Sequence, residues 1–201
     1  MLPQVRDLHC LEWHNGLLYV AGGISSSTGI PINSFHVFNE ATGLWEELPP
    51  MPHACVWAAS GVIGNELFIA GGTGLSELNT LQIYDIAART WRLGAPLPVV
   101  QITGSKKPRG VVVDGKLFLF TRQIHRTLVY DPLYNMWTEE AVPEGDFSVW
   151  YGGACAHEGR VFVIGRTGNF LRAADGSWSF SIRAEDGGDS RRCVSGSVLL
   201  G

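Results

Sequence analysis

The sequence predicts an all-β fold in which one structural unit is repeated four times. Trp45, Trp91, Trp137 and Trp178 follow one another at intervals of 46, 46 and 41 residues. An apolar segment precedes each tryptophan, and "LLYVAGG" in the first unit closely matches "LFIAGG" in the second. Such a period is typical of folds in which one supersecondary unit stacks on the next.

Each unit contains signals for four short strands. "GVIGNELFIAGG" joins two apolar runs at Gly64-Asn65, and "GVVVDGKLFLF" does so at Asp114-Gly115, a strong two-residue hairpin signal. No stretch has sustained helical periodicity. Strands such as "LFIA" are apolar on both faces, so a lone four-stranded sheet would leave one face uncovered. Sheets that pack radially against their neighbours cover both faces, which predicts a β-propeller.

The composition is that of an ordered protein without an obvious nucleic-acid or membrane partner. Of 201 residues, 45% are hydrophobic and 17% are charged, which excludes a disordered chain. A net charge of −4 gives no electrostatic reason to bind nucleic acid. No apolar run approaches the ~20 residues of a membrane span, and the first residues lack the apolar core of a signal peptide.

The four cysteines form no CxxC pair and predict free thiols in a reducing compartment. We therefore expect a cytoplasmic location, with the nucleus as the alternative. Glu185, Asp189 and Cys193 are spaced like a Glu-x3-Asp-x3-His metal-binding motif, but Cys193 stands where the histidine would be needed. We expect neither a metal nor a cofactor.

The repeat landmarks resemble the kelch motif, in which an apolar strand ends in a Gly-Gly doublet and is followed by a tyrosine and then a tryptophan. The second unit matches fully, and the first has Phe38 at the tyrosine position. In the third unit Thr121-Arg122 replaces the doublet, and the fourth lacks the tyrosine. The resemblance implies structural roles for Gly22, Gly23, Trp45, Gly71, Gly72, Tyr84, Trp91, Tyr130, Trp137 and Trp178.

We expect residues 1–201 to form one kelch propeller region with four four-stranded blades. The predicted repeats are approximately 8–48, 54–94, 108–141 and 150–182, and residues 183–201 add a polar loop and one further strand. Kelch propellers usually close with more blades, so this ring is incomplete or small. Three explanations stay open. The chain is a fragment of a larger propeller, the extra strand closes a small ring, or another chain covers the exposed strand edge.

Binding is expected on the face that collects the inter-blade connectors and the loops between second and third strands. Loops on a rigid scaffold are where binding usually resides, and Arg, Trp and Tyr are enriched at interaction hot spots. By the resemblance, arginines such as Arg109 line the central opening and can meet acidic peptides. The predicted partner-binding residues are Arg109, Arg122, His125, Arg126, Trp150, Tyr151, His53 and Trp57.

The resemblance implies a non-catalytic protein-interaction module of the substrate-recognition type found in ubiquitin-ligase adaptors, where kelch repeats accompany an F-box or BTB domain. Fold alone does not fix function. One alternative is a small-molecule enzyme of the sugar-epimerase kind, which needs an acid–base pair with shifted pKa values in the central opening. The other is a truncated product without function.

Overall fold

Four antiparallel sheets of four strands each make up most of the molecule. The computed structural model describes residues 2–74, 79–98, 108–120, 126–141, 153–164 and 168–182. Within these ranges every regular element is a strand. No helix in the described ranges has the length and apolar character needed to cross a membrane.

The four-stranded sheets follow the chain in order, and within each sheet the strands pair in chain order. Two short strands, Arg6–Asp7 and Ile24–Ser25, pair with each other outside the first sheet. The strands are β1 Arg6–Asp7, β2 Cys10–His14, β3 Leu17–Ala21, β4 Ile24–Ser25, β5 Phe35–Asn39, β6 Leu44–Leu48, β7 Ala59–Ile63, β8 Glu66–Ala70, β9 Leu81–Asp85, β10 Thr90–Leu93, β11 Arg109–Val113, β12 Lys116–Phe120, β13 Arg126–Asp131, β14 Met136–Ala141, β15 Ala154–His157, β16 Arg160–Ile164, β17 Gly168–Arg172 and β18 Trp178–Ile182.

The first strands of the four sheets stand side by side, with β2 against β7, β7 against β11 and β11 against β15. We call these the inner strands and each sheet a blade. This radial arrangement confirms the all-β propeller architecture with four blades. The additional strand expected within residues 183–201 lies outside the described residues.

Three apolar clusters join neighbouring blades. Successive side chains of β8 belong to two different clusters. Leu67 and Ile69 pack towards the first blade, while Phe68 and Ala70 pack towards the third. The cluster between the third and fourth blades includes Phe118, Phe120, Val161, Val163 and Phe170. The all-apolar strands are therefore covered on both faces, as the propeller prediction requires.

The tyrosine and tryptophan landmarks face each other across the third and fourth strands of a blade. Tyr84 is the register partner of Trp91, and Tyr130 of Trp137, with ring centroids 5.0 and 5.1 Å apart. The indole Nε1 of Trp91 donates to the carbonyl of Pro49 at 2.8 Å, so the ring also ties the second blade to the end of the first.

The fourth blade replaces the tyrosine with an arginine. Arg172 is the register partner of Trp178 and lies 4.9 Å from the ring centroid of Phe118. Its Nε donates to Glu140 Oε1 at 3.0 Å. An ion pair with a cation–π contact thus joins the third and fourth blades where the earlier blades use an aromatic pair.

The segment before the first blade is held by a buried arginine. Arg6 is 4% exposed, and its Nη1 donates to the carbonyls of Gly22 at 3.2 Å and Ser34 at 2.9 Å. Its Nη2 lies 2.9 Å from Nδ1 of buried His36. A guanidinium can only donate, so His36 Nδ1 accepts this hydrogen bond and is unprotonated. The neutral imidazole is therefore part of the docking of β1.

Acidification is expected to weaken this docking. Burial and the positive charge of Arg6 lower the pKa of His36 despite Glu47, and the pKa of His9 is lowered for the same reasons despite Asp7. Because the unfolded imidazoles bind protons more readily, their contribution to stability is complete above the unfolded pKa of 6.5 and declines as the pH falls below it.

Chemical denaturation across this pH range measures the effect as the free energy of unfolding. His36→Asn puts an amide oxygen where Nδ1 accepts from Arg6 and has no titrating imidazole, so this variant should lose less stability than the wild type between pH about 7.5 and about 5.5. Equal losses in the two proteins would contradict the role assigned to His36.

Candidate functional site

Two opposite faces of the blades offer places for binding. On one face lie residues 24–33, the connector 49–58 and the entry to β11, and we call it the loop face. The opposite, hairpin face carries the two-residue turns between the first and second strands of the blades, such as Gly64-Asn65 and Asp114-Gly115.

Of the eight predicted partner-binding residues, His53, Trp57 and Arg109 are fully described. Arg126 is the first residue of β13, which places its backbone at the loop-face end of the third blade. Arg122, His125, Trp150 and Tyr151 lie outside the described residues, so their assignment stays a prediction.

Trp57 and Arg109 lie on the loop face, at the starts of the neighbouring inner strands β7 and β11. Trp57 stands two residues before β7, and its backbone N–H donates to the carbonyl of Leu8 at 3.2 Å. Arg109 is the first residue of β11 and is half-buried. A Cβ added to the next residue, Gly110, would lie 2.7 Å from the carbonyl oxygen of Ser60, so the two strands approach closely there.

Leu8 completes this inner rim and is missing from the sequence prediction. Leu8 and Trp57 each precede the first strand of a blade by two residues, and their φ angles are +58° and +59°. Large side chains rarely adopt this left-handed conformation, which is enriched at functional sites. Aligning the inner-strand entries of the first two repeats would have found the equivalence. We call Leu8, Trp57 and Arg109 the loop-face rim.

His53 lies further from the axis than the rim. Its backbone N–H donates to Gln82 Oε1 at 2.8 Å, and Gln82 belongs to β9, the third strand of the second blade. The contact fixes the connector between the first two blades. His53 therefore contacts the third strand of the second blade through its backbone, and it does not lie at the start of an inner strand.

A cavity of about 430 Å³ opens between the inner strands towards the hairpin face. We call it the inner-strand cavity; sequence reasoning placed no residue there. Among the described lining residues, Glu12 alone carries a carboxyl group, and it accepts a hydrogen bond from Ser60 Oγ at 2.6 Å. Burial raises the pKa of Glu12, and the bond from Ser60 opposes this only in part. The described lining residues are Glu12, Trp13, His14, Ser60, Gly61, Val62, Gly64, Gly110, Val111 and Val112.

The described cysteines are free thiols. Cys10 and Cys55 are buried, and burial raises the pKa of Cys55 to about 12, which keeps it in the unreactive thiol form. Cys155 is exposed. Across the described ranges, no group of three or more His, Cys, Asp and Glu side chains is arranged to hold a metal ion.

The fold and the four inner strands define a repeat protein of the β-propeller class. The family model for the kelch motif matches residues 7–52 and 55–98, the first two blades. These two blades match the kelch motif, as the landmark spacing indicated.

Curated relatives with kelch repeats match over different shares of the chain. Kelch-like protein 35 of Mus musculus is 22% identical over 81% of this chain and 28% of its own length. Kelch repeat and BTB domain-containing protein 12 of Danio rerio is 28% identical over 68% of this chain and 26% of its own length. An F-box/kelch-repeat protein of Arabidopsis thaliana is 25% identical over 59% and 30%. The chain thus spans less than a third of the length of these relatives.

Among solved structures, that of YjhT superposes with a TM-score of 0.74 at 13% sequence identity. The match covers 92% of this chain and 67% of that one. At this identity the likeness concerns the fold alone.

Proposed function

We propose that this chain is a non-catalytic protein-interaction module that binds its partner on the loop face. Kelch repeats are the shared feature of the matched relatives, and two of those carry a BTB or F-box designation in their names. By this relationship, the chain would act as the substrate-recognition part of a ubiquitin-ligase adaptor. The free thiols are in keeping with the cytoplasm and the nucleus as its location.

The loop-face rim is the observation that carries this proposal. Leu8 is 37% exposed, and Trp57 occupies the equivalent place in the next blade with the same unusual backbone conformation. Interaction hot spots are enriched in tryptophan and arginine and lie near the centre of an interface. An aromatic side chain and a guanidinium at the entries of adjacent inner strands form such a centre on a rigid scaffold.

The guanidinium of Arg109 suggests an acidic group on the partner. Arg109 Nε is buried without a hydrogen-bond partner among the described residues. A carboxylate presented by a peptide could accept from the guanidinium through two parallel hydrogen bonds, a geometry that favours Arg over Lys.

Affinity capture with three variants tests the loop face. Trp57→Ala and Arg109→Ala are each expected to reduce recovery of a specifically captured protein by about tenfold, the scale of one hot-spot residue. Tyr134→Ala, which removes an exposed ring in the turn between β13 and β14, should leave capture unchanged. Thermal melting confirms that each variant is folded.

Two results would overturn the proposed function. One is a cooperatively folded wild-type chain that captures no protein specifically, and the other is equal capture by the wild type and both rim variants. A chain without a stable fold would instead favour the truncated, non-functional product.

A further inference from the structure

Tyr84 carries a buried hydroxyl group that no other part of the described structure satisfies. The residue is 1% exposed, and its Oη has no hydrogen-bond partner among the described residues. Burial raises the pKa of this phenol to about 12, so the hydroxyl keeps its proton and can donate. A buried polar group without a partner is destabilising, and native structures contain few of them.

The equivalent tyrosine of the third blade has the partner that Tyr84 lacks. The hydroxyl of Tyr130 donates to Asn135 Oδ1 at 2.8 Å. In the second blade the residue five positions after the tyrosine is Arg89, and its φ of +56° is close to the +50° of Asn135. The backbone course is thus preserved, but a guanidinium can only donate and cannot replace the amide oxygen. A bound molecule would supply the missing acceptor.

The Tyr84 hydroxyl lies beside a cavity of about 390 Å³ between the first two blades, which we call the interblade cavity. The phenol ends close to the charged groups of Arg89 and Glu46, which act on its pKa and also line the cavity. Arg89 belongs to the β9–β10 turn, and because β9 runs parallel to β7, this turn lies on the hairpin face. The cavity therefore lies away from the loop-face rim.

The walls of the interblade cavity are mainly apolar, and its described charged residues pair with each other. Arg89 donates to both carboxylate oxygens of Glu46, and both side chains are about half-exposed, so this ion pair lies at the solvent end. The volume is within the range of small-molecule sites. The lining side chains that belong to the apolar cluster between the two blades are Leu17, Tyr19, Val37, Leu48, Tyr84 and Ile86.

We propose that the interblade cavity binds an uncharged, mainly apolar small molecule whose hydrogen-bond acceptor takes the proton of the Tyr84 hydroxyl. Apolar walls and a single unused donor suit an aromatic ketone or amide. A charged ligand would have to compete with the ion pair between Arg89 and Glu46. The site goes beyond the proposed protein interaction, and failure of partner capture by rim variants leaves it untouched.

NMR titration of the intact chain with acetophenone tests the site. Acetophenone has one carbonyl acceptor, and its isostere α-methylstyrene carries a CH2 group in place of that oxygen. Binding should shift the backbone amide signals of Val37 and Ile86, which line the cavity, and spare that of Val163 in the fourth blade. No shift at Val37 and Ile86 up to the solubility limit of acetophenone would overturn the proposal.

Tyr84→Phe and Tyr130→Phe form a matched pair of variants, because each removes one phenol oxygen from an equivalent place. Tyr84→Phe should weaken acetophenone binding about tenfold, which corresponds to about 1.4 kcal/mol, and should not weaken binding of α-methylstyrene. Tyr130→Phe lies outside the described cavity lining and should change neither affinity. Equal affinity of acetophenone for the wild type and folded Tyr84→Phe would contradict the assigned hydrogen bond.

Thermal melting without any ligand gives an independent measurement on the same two variants. Tyr130→Phe removes the hydrogen bond to Asn135 and should lower the melting temperature. Tyr84→Phe removes a hydroxyl that lacks a partner, so its melting temperature should equal or exceed that of the wild type. A decrease as large as that of Tyr130→Phe would show that the Tyr84 hydroxyl is already satisfied without a ligand and would overturn the proposal.

Discussion

Gly72→Ala is expected to destabilise the protein by about 3 kcal/mol or more, because it combines backbone strain with a steric clash. The φ angle of Gly72 is +92°, which side-chain-bearing residues rarely adopt. An added Cβ would lie 2.7 Å from the carbonyl oxygen of Val56. That carbonyl accepts the N–H of Thr73 at 2.9 Å, so it cannot move aside without loss of the hydrogen bond. Urea denaturation measures the free energy of unfolding.

Gly64→Ala is the matched control for this substitution. Gly64 also has a positive φ, +58°, but a Cβ there meets no atom within 4 Å. Only backbone strain then remains, about 1 kcal/mol. The difference between the two variants isolates the contact between the Gly-Gly doublet and the connector. Equal destabilisation would show that this contact does not explain the doublet.

The repeated blades could be predicted because their signals are local. The Asp114-Gly115 turn has φ angles of +50° and +70°, the combination that an Asp-Gly hairpin favours. Strands β7 and β8 leave the predicted two residues, Gly64-Asn65, between them. Spacing between landmark tryptophans carries the same information over a longer range, since each indole has the same place in its blade.

The candidate sites could be predicted only in part because they depend on contacts between blades. Residue type, loop position and, for Arg109, the resemblance to kelch repeats predicted Trp57 and Arg109 as binding residues, and their role stays a prediction. Leu8 has no such signal, and its importance arises from a backbone conformation shared with Trp57. Glu12 could not be predicted because it lines a cavity that three separate inner strands form together.

The weakened fourth repeat shows a further limit. A missing tyrosine reads in the sequence as loss of a landmark, whereas Arg172 fills that register position and pairs with Glu140 of the preceding blade. The pairing joins residues 32 positions apart on different sheets, so no local pattern indicates it.

Phe35→Ala is expected to destabilise the protein by about 3–5 kcal/mol, the usual cost of truncating a buried phenylalanine. Phe35 is fully buried at the junction of the first two blades. Its ring centroid lies 4.7 Å from that of Tyr84 and 5.1 Å from that of Trp91, both in near-perpendicular orientations. Truncation removes these contacts and leaves a cavity that the surrounding strands cannot fill. Phe162→Ala, at a 39% exposed position in the fourth blade, should cost about 1 kcal/mol or less.

The loss of hydrogen-exchange protection in each blade of Phe35→Ala shows whether the blades unfold separately or together. Because each blade packs only on its neighbours, stability in such arrays is a sum of local and nearest-neighbour contributions. Hydrogen exchange of Phe35→Ala should therefore lose most protection in β3, β5, β8 and β9, which meet at the cavity, and least in β16. A uniform loss across all four blades would contradict this picture and show that the blades unfold as one cooperative unit.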